Sequence, residues 1–140
     1  MAQGPKFEMN AVPYDIAALP LATLLGIKLT TAEKDRVVGQ MAVREELTTG
    51  GHILHGGAFM ALADSLGAIG AVLNLREGTR TTTLESKTNF LGSARVGETI
   101  TAEATPLHVG RRSSVWQTRI TNDEGKLMAL VTQTQMTVEA

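Results

Sequence analysis

Asp64 is the only charged residue between His55 and Arg76, in a run that is otherwise nearly all apolar or small. A carboxylate in such a run is costly to bury unless it is paired or functional. At about 100° per residue, Asp64 falls at the centre of a face made of Gly57, Met60, Ala61, Gly67, Ala68 and Ala71. Neighbours this small leave room for a ligand or a second chain. A structural aspartate, paired with a buried arginine or capping another element, fits the same periodicity. Upstream, His55-Gly56-Gly57 opens the helix on which Asp64 sits. The first amides of a helix have no internal partner and lie at the positive end of its dipole, which suits a developing oxyanion. A glycine-rich helix entry without any ligand is the plainer reading of the same residues. Gly57 and Asp64 are seven residues apart, two turns and about 10 Å along the axis. One chain cannot aim both at a single carbonyl carbon. If both serve one reaction, the amide comes from one subunit and the carboxylate from another, with two equivalent sites in a twofold dimer.

Other reactive residues are fewer. His52 and His55 have a spacing a metal can use, but no third ligand lies nearby and the loop carries no acid, so no metal is expected. Ser65 has no histidine at triad-like spacing. His108-Val109-Gly110-Arg111-Arg112 is a basic turn whose guanidinium groups suit phosphates, or else a solvated turn.

The elements that must position these residues follow from periodicity. Residues 1–13 hold two of the four prolines and read as a loosely ordered lead-in. Residues 14–25 read as a short helix broken by Pro20. Strands are expected over 27–31 and 37–47, with Glu33-Lys34-Asp35 as the turn and Thr48-Thr49-Gly50-Gly51 as a loop. Phe59, Leu62, Leu66, Ile69 and Leu73 then mark one helical stripe. The opposite face is apolar too, which predicts a helix wrapped on every side, ending at Arg76-Glu77-Gly78. Beyond it the period becomes two. Leu84, Ser86, Thr88 and Phe90 alternate with Thr83, Glu85, Lys87 and Asn89, and three further strand-like runs end with 127–138. Short polar or glycine-bearing connections favour antiparallel pairing. One sheet wrapped around one apolar helix covers both surfaces, giving a single α+β domain over residues 1–140.

Composition removes several function classes. The 140 residues carry a formal net charge of -1 and no basic block, so nucleic acid is not an expected partner. No cysteine is present, which excludes disulfides, thiolate catalysis and cysteine-ligated zinc. No signal-peptide pattern is visible at the N-terminus, and a cytoplasmic location is expected. Residues 56–75 have the length of a bilayer span, but they contain Asp64, Asn74 and four glycines; a helix buried inside the fold, and no membrane, is the expectation.

The segment His55-Gly56-Gly57-Ala58-Phe59-Met60-Ala61-Leu62-Ala63-Asp64 resembles the signature of hotdog-fold thioesterases, of the phenylacetate-pathway (PaaI-like) and 4-hydroxybenzoyl-CoA type. Lys87-Thr88-Asn89-Phe90-Leu91, Pro106 to Arg111 and Val115-Trp116 are also similar to this family, and the likeness spans roughly residues 25–138. The resemblance implies a hotdog fold, an antiparallel sheet of five or six strands around a long central helix. It implies hydrolysis of an acyl- or aroyl-CoA thioester without a cofactor. It makes Asp64 the general base on water or the nucleophile, Gly57 the amide that polarises the carbonyl, and His55 the histidine that positions thioester or thiolate. Thr83 falls where a site-lining serine or threonine stands in some members, and His108, Gly110, Arg111 and Arg112 fall where CoA is bound. Two positions depart from the pattern. Thr49 stands where relatives often have Gln or Asn, and keeps only a hydroxyl to hold water. Ala68 stands where some have Ser or Thr. A homodimer at least, and a homotetramer by resemblance, is the expected assembly. A dehydratase or hydratase using His55 with Asp64, and a non-catalytic acyl-CoA-binding protein, are the competing functions.

Overall fold

The computed structural model describes residues 14–140; the expected lead-in at 1–13 lies outside the described residues. A single 3₁₀ turn at Ile16–Ala18 precedes helix α1, Pro20–Leu25. Pro20 starts this helix instead of breaking one, because proline at the first helical position gives up an amide that has no partner there anyway. Gly26 closes it in the left-handed conformation at φ 77. The strands are β1 Lys28–Glu33, β2 Arg36–Ala42, β3 Thr79–Phe90, β4 Thr99–Val109, β5 Ser113–Thr121 and β6 Leu127–Glu139. All pairs are antiparallel, in one six-stranded sheet of order β1-β2-β4-β5-β6-β3. Helix α2, Gly56–Leu73, connects β2 to β3 and lies against the sheet. This is the sheet around a long helix that the resemblance implies, with six strands.

The stripe that period 3.6 picks out is the buried one: Phe59, Leu62, Leu66 and Ile69 are at most 2% exposed. Ile100, Ala102 and Ala104 on β4, Trp116 and Ile120 on β5, and Val131 on β6 face it, alternating with exposed or half-buried residues. Glycines on α2 set how closely helix and sheet approach. A Cβ at Gly70 would lie 2.4 Å from a ring carbon of Trp116, which is fully buried. Glycine to alanine in a helix interior normally gains up to about 1 kcal/mol. Here overpacking against a ring that cannot move outweighs that gain, and Gly70→Ala is expected to destabilise by about 1–3 kcal/mol, read as a lower denaturation midpoint. An unchanged or raised midpoint would mean that the sheet yields.

Several boundaries differ from the periodicity reading. The second strand stops at Ala42, not at residue 47: Val43 bonds to the segment that precedes β4, through its amide to Glu98 O and its carbonyl from Gly97 N, and Glu45–Leu47 curl into a 3₁₀ turn. Helix α2 ends at Leu73, capped by Asn74, before the expected Arg76-Glu77-Gly78. The helix is also not wrapped on every side. Met60, Ala61, Asp64 and Ala68 are half-buried, and Gly57 and Val72 are exposed, so the sheet of one chain leaves one face of α2 open.

Candidate active site

The loop before α2 fixes where the helix begins. Thr49 N donates to Ile53 O and His55 N to Leu47 O, which closes the loop 47–55 on itself, and Leu54 N donates to Ala94 O, which ties it to the segment before β4. His55 is then the N-cap: its Nδ1 accepts the Gly57 amide at 2.7 Å. A backbone amide can only donate, so this nitrogen carries no proton and the ring N–H is at Nε2. The Gly57 amide expected to polarise a carbonyl is therefore engaged, and becomes free only when the His55 ring releases it. His52 goes elsewhere; it sits in the left-handed region at φ 64 with its ring 2.7 Å from Glu45 Oε2. Thr49 Oγ1 accepts the Gly51 amide at 3.1 Å, which leaves its hydroxyl hydrogen able to donate.

Asp64 is held by neutral donors, not by an arginine. Thr83 Oγ1 donates to Asp64 Oδ1 at 2.8 Å and Gln133 Nε2 donates to the same oxygen at 3.0 Å. Among the described residues, Oδ2 accepts no hydrogen bond. The Gln135 Nε2 amide donates to Thr83 Oγ1 at 2.7 Å, and Thr81 Oγ1 donates to Gln135 Oε1 at 2.8 Å. Because Thr83 oxygen is already an acceptor, its hydrogen is directed to Asp64. Thr83 thus contacts the carboxylate directly rather than only lining the site. A β-bulge brings it there: the β3–β6 register shifts between Thr83 and Glu85. The extra residue puts Thr83 on the same side as Ser86 and Thr88, although simple alternation puts them on opposite sides. Ser65 donates to Ala61 O at 2.7 Å and takes no part.

Within one chain the remaining candidates do not converge. Gly57 and Asp64 are separated along α2 by about 10 Å, and His55 and Asp64 by about 13 Å. The basic turn lies at the other end of the helix: Arg76, just past α2, donates from Nη1 to Arg111 O at 3.0 Å, and the Arg112 carbonyl accepts the Thr137 amide. His108, Arg111 and Arg112 are exposed there, and Gly110 fits because a Cβ would meet His108 Nε2 at 2.7 Å. Strand β3 is an edge of the sheet, so its outer backbone row has no partner strand among the described residues. Gln133 and Gln135, each 1% exposed, are functional candidates that motif reading passes over. Their signal is polar side chains at the inward phase of β6, next in phase after Ala129 and Val131.

Comparison with known proteins agrees with this fold. The thioesterase superfamily profile matches residues 51–129. A 1,4-dihydroxy-2-naphthoyl-CoA hydrolase of Listeria monocytogenes is 32% identical over 110 residues, covering 79% of this chain and 89% of its own. Among solved structures, a thioesterase from Haemophilus influenzae superposes with a TM-score of 0.80 at 32% identity, covering 85% of this chain and 82% of that one. The Escherichia coli PaaI protein from the phenylacetic acid degradation operon gives a TM-score of 0.80 at 26% identity, over 86% of each chain.

Proposed function

Because the chain belongs to the thioesterase superfamily, we propose that it hydrolyses an acyl- or aroyl-CoA thioester in a site shared by two copies. The observation that carries this is Asp64, half-buried on the open face of α2: one carboxylate oxygen is fixed by Thr83 and Gln133, and among the described residues the other accepts no bond. Oδ2 either takes a proton from water as that water attacks the thioester carbon, or attacks the carbon itself. The carbonyl oxygen gains charge, and the Gly57 amide of the second copy stabilises it once the His55 ring has moved off. The C–S bond then breaks and CoA leaves as a thiolate, which the His55 Nε2–H can meet; where Oδ2 attacked the carbon, water then hydrolyses the acyl–Asp64 anhydride to free acid and restores the carboxylate. A second copy supplies what one chain lacks, since about 10 Å separates the two groups within a single helix. The half-buried small face of α2 and the edge strand β3 are the surfaces such a copy can cover. A dehydratase would pair the His55 of one copy with the Asp64 of the other in the same shared site, and release of free thiol separates the two readings.

The direct test is release of free thiol across a panel of short, long and aromatic acyl-CoAs. Turnover of at least one class is expected; silence across the panel in a folded, assembled protein would remove the hydrolase reading. We assign the CoA phosphates to Arg111 and Arg112. Alanine at both should raise KM for acyl-CoA about tenfold or more with kcat little changed, the mark of lost uniform binding. Equal KM values for acyl-CoA and acyl-pantetheine in the unaltered protein would show that the turn is merely solvated.

A further inference from the structure

The carboxylate of Asp64 is the end point of a chain of donors whose direction is fixed by chemistry. The Thr81 hydroxyl donates to Gln135 Oε1, the Gln135 amide to Thr83 Oγ1, and the Thr83 hydroxyl to Asp64 Oδ1. The Gln133 amide reaches the same Oδ1 from β6. Both glutamines are 1% exposed, and a buried carboxamide is expensive unless both its ends are satisfied. Gln135 meets that condition and Gln133 does not: among the described residues its buried Oε1 has no hydrogen-bond partner. Helix α2 makes room for this costly arrangement. A Cβ at Gly67 would lie 2.1 Å from that same Oε1, so only glycine on the turn after Asp64 lets the carboxamide pass. A bulge in β3, an orphaned buried oxygen and a glycine at a helix-packing position all serve one result: two donors on one oxygen of one carboxylate.

We propose that Gln133, together with Thr83 oriented by Gln135, is a positioning residue that locks the rotamer of Asp64 and aims Oδ2 at the reacting carbon or water. The proposal rests on the reading of Asp64 as base or nucleophile. Its physical basis is that catalytic carboxylates work only within a narrow geometry, and a displacement of about 1 Å can cost about a hundredfold in rate. Gln133 touches no substrate in this scheme; it acts through Asp64 alone.

The test uses the full chain and the acyl-CoA it turns over best. Gln133→Met keeps length and removes the carboxamide; Thr83→Val keeps shape and removes the hydroxyl; Thr83→Ser restores the donor. The Met and Val variants are expected to lose kcat about ten- to a hundredfold with KM within about threefold of the parent, and Ser to recover most of the rate. In an Asp64→Asn background, where no base remains to be aimed, the same two changes are expected to cost less than about threefold more. Parental kcat in folded Gln133→Met or Thr83→Val, a loss in KM instead of kcat, or an equal loss in the Asn background would each overturn the proposal. If Gln133→Met does not fold, the Val and Ser pair at 83 decides by the same criteria. The two readings fail separately. An inactive Asp64→Asn beside a fully active Gln133→Met overturns only the positioning role, whereas a fully active Asp64→Asn removes the base itself.

Discussion

Asp64→Asn is expected to lower kcat for thioester hydrolysis about 10²–10⁴-fold, with the protein still folded and assembled. The reason for expecting intact structure lies in how the carboxylate is held. Both donors, Thr83 and Gln133, fall on Oδ1. An asparagine carbonyl oxygen accepts the same two bonds, and its NH₂ takes the place of Oδ2. The change therefore removes only the oxygen that takes the proton or attacks the carbon. Asp64→Glu separates catalysis from structure in the other direction. It adds a methylene and must repack against Thr83 and Gln133, yet it keeps a carboxylate on the open face, so measurable activity should survive where Asn has little. Rates are read by thiol release, and sedimentation confirms that each variant assembles like the parent. An assembled Asp64→Asn protein working at the parental rate would exclude Asp64 from the chemistry.

How far the sequence foretells this arrangement depends on which interaction sets each feature. The stripe of Phe59, Leu62, Leu66 and Ile69 is legible because helix burial follows a period that a single chain displays. The late strands are legible for the same reason at period two: Ile100, Ala102 and Ala104 alternate in the sequence as they do in the core. Asp64 stands out because one charge in an apolar run is conspicuous. The partners of Asp64 are harder to read, since β3 and β6 are joined only by a register that the sequence does not display. That register contains a bulge at Thr83 which reverses the phase of half the strand. Alternation alone sends Thr83 away from Ser86 and Thr88, and so away from Asp64. The two glutamines on β6 break the apolar phase begun by Ala129 and Val131, and that break is the visible signal. What it signals can be read only with Gly67 and Asp64 opposite. The end of β2 at Ala42 is hidden for a related reason: Val43 remains buried, but its backbone partners belong to the segment before β4, far along the chain.

The His55 ring carries the second large effect. Its Nδ1 caps α2 by accepting the Gly57 amide, which leaves Nε2–H as the group free to meet a thioester oxygen or a departing thiolate. These two duties can be separated. Asparagine is among the best N-cap residues, and its side-chain oxygen accepts the same early amide, so His55→Asn should keep the helix start and the stability of the parent. It lacks a donor at the distance of Nε2. If that donor meets the developing charge, kcat should fall about 10²–10³-fold, the loss typical of one missing oxyanion contact. His55→Ala removes both duties and should add a stability loss of about 1 kcal/mol to the same rate defect. Thermal denaturation and thiol release on the same samples make the comparison. A parental kcat in His55→Asn with a defect only in His55→Ala would reduce His55 to a helix cap. The Gly57 amide would then have to be freed for substrate by motion of whatever side chain caps it, histidine or asparagine alike.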